Sequence, residues 1–118
     1  MIPTYLRSNK VYNLYKKNRK NSLEHLKIVN DFKYWTIVKN EFPYDAVATR
    51  HDLLIPKREI QDIFGISLVE QQELKEIWKQ LKRSHKYDFL LVPLPWSQTF
   101  KSKIHFHLLK TKIKHKGG

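Results

Sequence analysis

The chain has 118 residues, 41% of them hydrophobic and 29% charged, which suits one globular domain with one core rather than a disordered chain. Lys and Arg number 23 against 11 Asp and Glu, and the net charge of +12 favours a polyanionic partner, a phosphate-bearing ligand or an anionic surface. A basic surface that serves only solubility is the alternative. The absence of cysteine excludes disulfides, thiolate metal sites and a cysteine nucleophile.

The N-terminal sequence MIPTYLRSNKVYNLYKKNRK lacks the apolar stretch of a signal peptide. No apolar run approaches the ~20 residues that span a bilayer. We therefore expect a cytoplasmic protein without a membrane partner.

Residues 1–32 are basic and polar, and we predict that they form a helical extension. Ser22 is a candidate N-cap for a helix over SLEHLKIV. The apolar side of that helix would consist of Leu23, Leu26, Ile28 and Val29.

Two strands are predicted next. Residues 33–40, KYWTIVKN, are rich in β-branched and aromatic side chains, and the proline-containing segment EFPYDAVATR follows as a loop. Residues 51–57, HDLLIPK, form a short apolar run that ends at Pro56, which cannot donate a hydrogen bond to a neighbouring strand.

The main helix is predicted at about residues 67–85. Ser67 and Glu70 have the spacing of a capping box. An apolar stripe then follows at helical spacing, which we expect to face the core: Leu74, Ile77, Trp78 and Leu81.

Two more strands are predicted, YDFLLVP at 87–93 and KIHFHLLKT at 103–111. Strand, strand, helix, strand, strand without regular alternation indicates an α+β fold with an antiparallel sheet. We predict three parts: the extension 1–32, a folded domain 33–110 and a mobile basic tail 111–118.

The last strand contains two histidines on one face. Lys103, His105 and His107 alternate with Ile104, Phe106 and Leu108, whose apolar side chains must face the core. A metal site would need a third ligand, and this strand offers a lysine instead. Two neutral imidazoles beside a lysine fit phosphate chemistry, whereas two strand histidines with only local hydrogen bonds are the alternative.

The residues of this strand, K-I-H-F-H-L-L, resemble the signature of the histidine triad (HIT) superfamily, H-φ-H-φ-H-φ-φ with φ apolar. Two more segments match in the same order. VKNEFPYD is similar to the family's N-x-x-P segment, and RHDLLIPKRE is similar to its G-H-x-L-V-I-P-K-R-H strand. The resemblance covers residues 33–110 and implies an antiparallel sheet of about five strands, often in a homodimer.

The resemblance also implies residue roles. His105 takes the place of the nucleophile that attacks the α-phosphorus of a nucleotide conjugate, and His107 takes that of the histidine beside the scissile phosphate. Asn40 matches a ribose contact, and His51 matches a histidine that supports the active-site strand. Thr99 and Ser102 lie where the family has a phosphate-contacting hydroxyl. No metal or cofactor is implied.

Lys103 stands where the family has its first histidine, and two functions stay open. In the first, Lys103 contacts the phosphate and the protein is a nucleotide hydrolase or nucleotidyl transferase. In the second, loss of that histidine has ended catalysis and the protein binds a nucleotide, RNA or DNA through its positive charge.

Overall fold

The computed structural model describes residues 6–18, 23, 25–94 and 103–112. Five strands form one antiparallel sheet in the order β1-β2-β3-β5-β4. The elements, in chain order, are α1 (Asn9–Asn18), β1 (Ile28–Asp31), β2 (Trp35–Lys39), β3 (Ala48–Pro56), a 3-10 turn (Ile63–Gly65), α2 (Leu68–Ser84), β4 (Phe89–Leu91) and β5 (Phe106–Thr111). This confirms the predicted α+β fold with one main helix.

The main core lies between the sheet and α2. Ile77 of α2 is buried against the inward side chains of the central strands, where Trp35 and Phe106 stack with ring centres 5.7 Å apart. The alternate residues Trp35 and Ile37 of β2 and Phe106 and Leu108 of β5 face this core, and β3 contributes Leu54. Its buried members are Trp35, Ile37, Leu54, Ile60, Ile77, Ile104, Phe106 and Leu108.

The other face of the sheet carries two smaller apolar clusters and the histidines. Leu53 is paired with His107 and His51 with Leu109 across β3 and β5, so these four side chains share this face. Because β3 and β5 are central strands, the histidines lie near the middle of the sheet.

The start of α2 has the predicted capping box. The Ser67 hydroxyl accepts a hydrogen bond from the Glu70 backbone N–H, and the Glu70 carboxylate accepts one from the Ser67 backbone N–H. Arg58 adds a hydrogen bond to that carboxylate at 2.7 Å, and this bond, ahead of the burial that opposes it, lowers the pKa of Glu70 to about 2. The Trp35 indole donates to the Glu70 carbonyl at 2.9 Å and links the helix start to β2.

The predicted helix over SLEHLKIV is wrong: residues 23 and 25–27 are not helical, and Ile28 and Val29 belong to β1. Pairing of β1 with β2 provides hydrogen-bond partners on one side of β1, and Val29 packs against the main core. Ser22 lies outside the described residues. The N-terminal helix that is present, α1, lies earlier in the chain.

The last strand begins at Phe106 rather than Lys103. Ile104 would lie opposite Pro56, which has no N–H to donate, and its own N–H bonds to the Ile60 carbonyl at 2.6 Å instead. His105 therefore immediately precedes β5.

The helix stripe is narrower than predicted. Ile77 is buried and Leu74 and Leu81 pack against the core, but Trp78 is 57% exposed. Trp78 lies instead at a groove beside the edge strand β4. None of the helices described is long and apolar enough to cross a membrane.

Candidate histidine site

Three buried histidines meet on the sheet face opposite α2. The Nε2 atom of His51 lies 2.8 Å from Nδ1 of His107, and the ring centres of His105 and His107 are 5.0 Å apart. His51 comes from β3 and His107 from β5, so the β3–β5 pairing brings together residues 56 positions apart in sequence.

The hydrogen bonds assign the tautomers of two rings. The backbone N–H of Tyr44 donates to Nδ1 of His51 at 3.0 Å, so a neutral His51 carries its proton on Nε2. That proton is donated to Nδ1 of His107, which leaves the His107 proton on Nε2. His107 thus has a hydrogen-bond donor on the side of its ring away from His51.

His105 has a different arrangement. Its Nδ1 lies 3.4 Å from the Lys103 carbonyl, and donation to that oxygen leaves the lone pair on Nε2. An imidazole nitrogen with a lone pair is the form that acts as a nucleophile.

All three histidines are held neutral. Burial lowers the pKa of His51 from 6.5 to about 3, and the positive charge of Arg7 adds to this effect. Burial also lowers the pKa of His105, against a smaller opposing effect of the Lys103 carbonyl, and it lowers the pKa of His107 well below 6.5. Buried charges are unfavourable, so the neutral rings are favoured at physiological pH.

Asn40 lies beside His51. Its Nδ2 atom is 3.2 Å from both ring nitrogens of His51, and its Oδ1 accepts a hydrogen bond from the Phe42 backbone N–H at 2.9 Å. Asn40 therefore shapes the turn after β2 and reaches the histidine cluster.

The Lys103 side chain contacts the backbone next to β3. Its Nζ donates to the Lys57 carbonyl, just after the end of β3, at 3.3 Å. Thr99 and Ser102, the predicted phosphate contacts, lie outside the described residues. In the part of the chain that the structure describes, no three His, Asp or Glu side chains are arranged to hold a metal ion.

Sequence reasoning assigned no role to Tyr44 or Arg7. The Tyr44 ring stacks on His107 with ring centres 5.3 Å apart, and the Arg7 guanidinium lies 4.8 Å from the centre of the Tyr44 ring. Tyr44 stands within the N-x-x-P match, where an aromatic side chain after the proline was the available signal. Arg7 is one of 23 basic residues and had no distinguishing signal.

Comparison with known proteins supports the fold. No family model matches the chain, and no curated protein matches its sequence. Solved structures that are similar include a HIT family hydrolase from Legionella pneumophila Philadelphia 1, a protein described as HIT-like, and a histidine triad protein from Clostridium difficile. The chain has the histidine triad fold.

The likeness extends over most of each chain. The Legionella structure has a TM-score of 0.58 and 19% identity, with 94% of this chain and 98% of that chain covered. The HIT-like protein has a TM-score of 0.56 and 20% identity, with 86% of this chain and 95% of that chain covered. The Clostridium protein has a TM-score of 0.52 and 16% identity, with 76% of this chain and 84% of that chain covered.

Proposed function

We propose that this protein is a nucleotide hydrolase or nucleotidyl transferase that cleaves at the α-phosphate of a nucleotide conjugate. The observation that carries the proposal is the arrangement of three neutral histidines: His105 with a lone pair on Nε2, and a hydrogen-bonded pair of His51 and His107 beside it. The histidine triad fold supports the same reading.

In the first step Nε2 of His105 attacks the α-phosphorus, so that an N–P bond forms and the bond from phosphorus to the leaving group breaks. The leaving group departs with the electron pair of that bond, and the Nε2–H of His107 donates a hydrogen bond to it. In the second step the oxygen of water attacks phosphorus, a proton is released, and the N–P electron pair returns to His105.

The surroundings of the histidines suit the rest of a nucleotide. Leu53 lies opposite His107 and packs with Val38 and Ile55 in a buried apolar cluster, and we assign the base to this side of the site. We assign the ribose to Asn40 and the phosphate oxygens to Lys103, Thr99 and Ser102. His105 is 2% exposed, so substrate entry requires movement of the side chains that cover it.

The test is a search for a nucleotide mass adduct after rapid mixing with an adenosine phosphoramidate or a dinucleoside polyphosphate. We expect an adduct on His105 and none in H105A. H85N is the matched control, because it removes another histidine at a left-handed position, φ 55°, that asparagine tolerates. Absence of both adduct and turnover in the wild type would reject the proposal.

A second candidate is a protein of this fold that binds RNA or DNA without catalysis. It is favoured by a cavity of about 500 Å³ at the end of the sheet, lined by Lys27, Lys39 and Arg50 among others. The net charge of +12 also supports this candidate. So does Lys103, which stands in place of the family's first histidine and whose Nζ donates to the Lys57 carbonyl.

This candidate predicts that binding of single-stranded RNA weakens steeply with salt, because phosphate contacts release counterions. K27E and K39E should each weaken binding, whereas H105A should leave it unchanged. Equal affinity at low and high salt would contradict nucleic-acid binding.

We also assign the protein to the cytoplasm and expect it to pair as a homodimer. The groove between α2 and the edge strand β4 supports pairing, because the large side chains of Trp78 and Phe89 are exposed there.

A further inference from the structure

A continuous stack of side chains joins the N-terminal segment to the histidine site. The Arg7 guanidinium carbon lies 4.3 Å from the centre of the Tyr15 ring on one side and 4.8 Å from that of Tyr44 on the other. The Tyr44 ring in turn stacks on His107, with ring centres 5.3 Å apart and planes 16° apart. We call these four residues, Tyr15, Arg7, Tyr44 and His107, the Arg7 stack.

Arg7 is held in this stack despite the cost of burying a charge. Only 5% of its surface is exposed, and its Nε donates to the Phe42 carbonyl at 2.8 Å. Its Nη1 is buried and has no hydrogen-bond partner among the described residues. Burial of a charged group with an unsatisfied donor is unfavourable, so the two aromatic faces and the Phe42 carbonyl must hold it in place.

The same segment holds the loop that carries Tyr44. The Ser8 backbone N–H donates to the Asp45 carboxylate at 2.7 Å, and the Ala46 N–H donates to the Leu6 carbonyl at 3.2 Å. These bonds flank Tyr44 on its C-terminal side, while Arg7 bonds to Phe42 on its N-terminal side.

Tyr44 contacts both members of the histidine pair. Its ring centre lies 4.3 Å from that of His51, and its backbone N–H sets the His51 tautomer. The position of Tyr44 therefore determines which nitrogen of His51 donates to His107, and the stack restricts rotation of the His107 ring.

We propose that Arg7 is a positioning residue for the histidine site: it holds Tyr44 against His107 and His51 and so fixes their orientation and tautomers. The N-terminal segment then completes the site from outside the region that resembles the histidine triad family. The expected effect on catalysis rests on the proposed function, whereas the effect on the histidine rings does not.

Four groups face the histidine pair. These are His105 ahead of β5, Tyr44 and Asn40 from the loop after β2, and Arg7 from the N-terminal segment. Of these, Arg7 supplies a fixed positive charge, and it lowers the pKa of both His51 and His107.

The first test is the NMR titration of the histidine side-chain nitrogens in the full-length protein, without substrate. In R7M we expect the pKa of His51 and of His107 to rise and the single tautomer of each ring to be lost. R7K should rescue these signals in part, because it keeps a cation between the two rings but loses the planar group that bonds to Phe42. K17M, which removes an exposed cation from α1, is the matched control.

Unchanged pKa values and tautomers of His51 and His107 in folded R7M would overturn the proposal. If R7M does not fold, the pKa values and tautomers of His51 and His107 are measured in Y15L and R7K instead, since each of these variants removes only part of the Arg7 stack. Wild-type signals in both variants would likewise overturn it.

The second test uses a nucleotide substrate. In R7M, kcat should fall by about 10- to 100-fold and KM should change little, because a reacting group that is displaced by up to about 1 Å from its productive position loses rate on this scale. If the wild-type protein turns over no substrate, the proposed function is rejected but the positioning role of Arg7 is not, because the NMR titration tests that role without substrate. A kcat in folded R7M equal to that of the wild type would overturn the positioning role.

Discussion

Burial determines the protonation of individual residues in the site. His51, His105 and His107 all have lowered pKa values, and burial is the largest cause for each. Neutral rings allow the hydrogen bond from His51 to His107, which a pair of protonated rings would lose because neither nitrogen could accept. The neutral state of the three rings therefore depends on their burial.

This state makes stability depend on pH. Below 6.5 the unfolded chain binds protons at these histidines, whereas folded His51 stays neutral down to about 3. The unfolded state then holds more protons, so the free energy of unfolding decreases as pH falls, by about 1.4 kcal/mol per pH unit for each imidazole kept neutral. Well above pH 6.5 the unfolded histidines are also neutral, and the free energy of unfolding no longer depends on pH through them.

Urea unfolding between about pH 5 and pH 6.5 checks this expectation, in a range mostly above the titration of ordinary carboxylates. The H51Q variant should show a slope smaller by about 1 kcal/mol per pH unit on average over this range, because an unfolded imidazole is half protonated at its own pKa and fully protonated only well below it. H85N should keep the wild-type slope. Equal slopes in H51Q and the wild type would contradict a neutral, buried His51.

At the scale of elements, α2 is specified largely by local sequence. Its capping box, its basic last turn and its apolar stripe agree with one another, and the helix forms where they predict it. The end of α2 has His85 in the left-handed conformation with φ 55°. The local pattern predicts neither this cap nor the exposure of Trp78, because helical spacing alone does not determine how the last turn ends or how wide the buried side of a helix is.

Loss of the helix cap should destabilise the protein by a modest amount. We expect S67A to lower the free energy of unfolding by about 1 kcal/mol, because a backbone N–H at the helix start loses its acceptor. K75A, a substitution on the exposed side of α2, is the control and should change it by less than about 0.5 kcal/mol. Denaturant titration measures both, and equal values for the two variants would contradict the role of the cap.

β1 shows how tertiary pairing overrides local preference. The segment SLEHLKIV has a helical spacing of apolar residues, yet Ile28 and Val29 pair with β2. A short segment of this kind gains more from the hydrogen bonds of an existing sheet edge than from an isolated helical turn. Pairing partners are not visible in a local pattern.

At the scale of the whole molecule, the proposed homodimer would use the exposed apolar groove between α2 and β4. Trp78 and Phe89 line a cavity of about 440 Å³, and β4 is the outermost strand of the described sheet on this side. A second copy of the chain could cover both at once by a symmetric contact.

We therefore expect W78E to reduce dimerisation, because it places a charge in the apolar contact. Sedimentation velocity over a range of protein concentrations measures the effect, which should be at least about 10-fold in the dimer dissociation constant. Q72E adds the same charge on the exposed side of α2 and should behave like the wild type. A wild type that is monomeric at every concentration would contradict this interface.

The sequence by itself determined the α+β class, the main helix and the strands that carry His51 and His107. Apolar alternation in strands and capping residues at helix ends are patterns of neighbouring residues, so they can be read without the tertiary structure. The division into 1–32, 33–110 and 111–118 stays a prediction. Only the tertiary structure decided that His51 bonds to His107, that Lys103 turns to the Lys57 carbonyl, and that Arg7 stacks behind Tyr44. These contacts join residues far apart in sequence, so they follow from strand pairing and burial rather than from any local pattern.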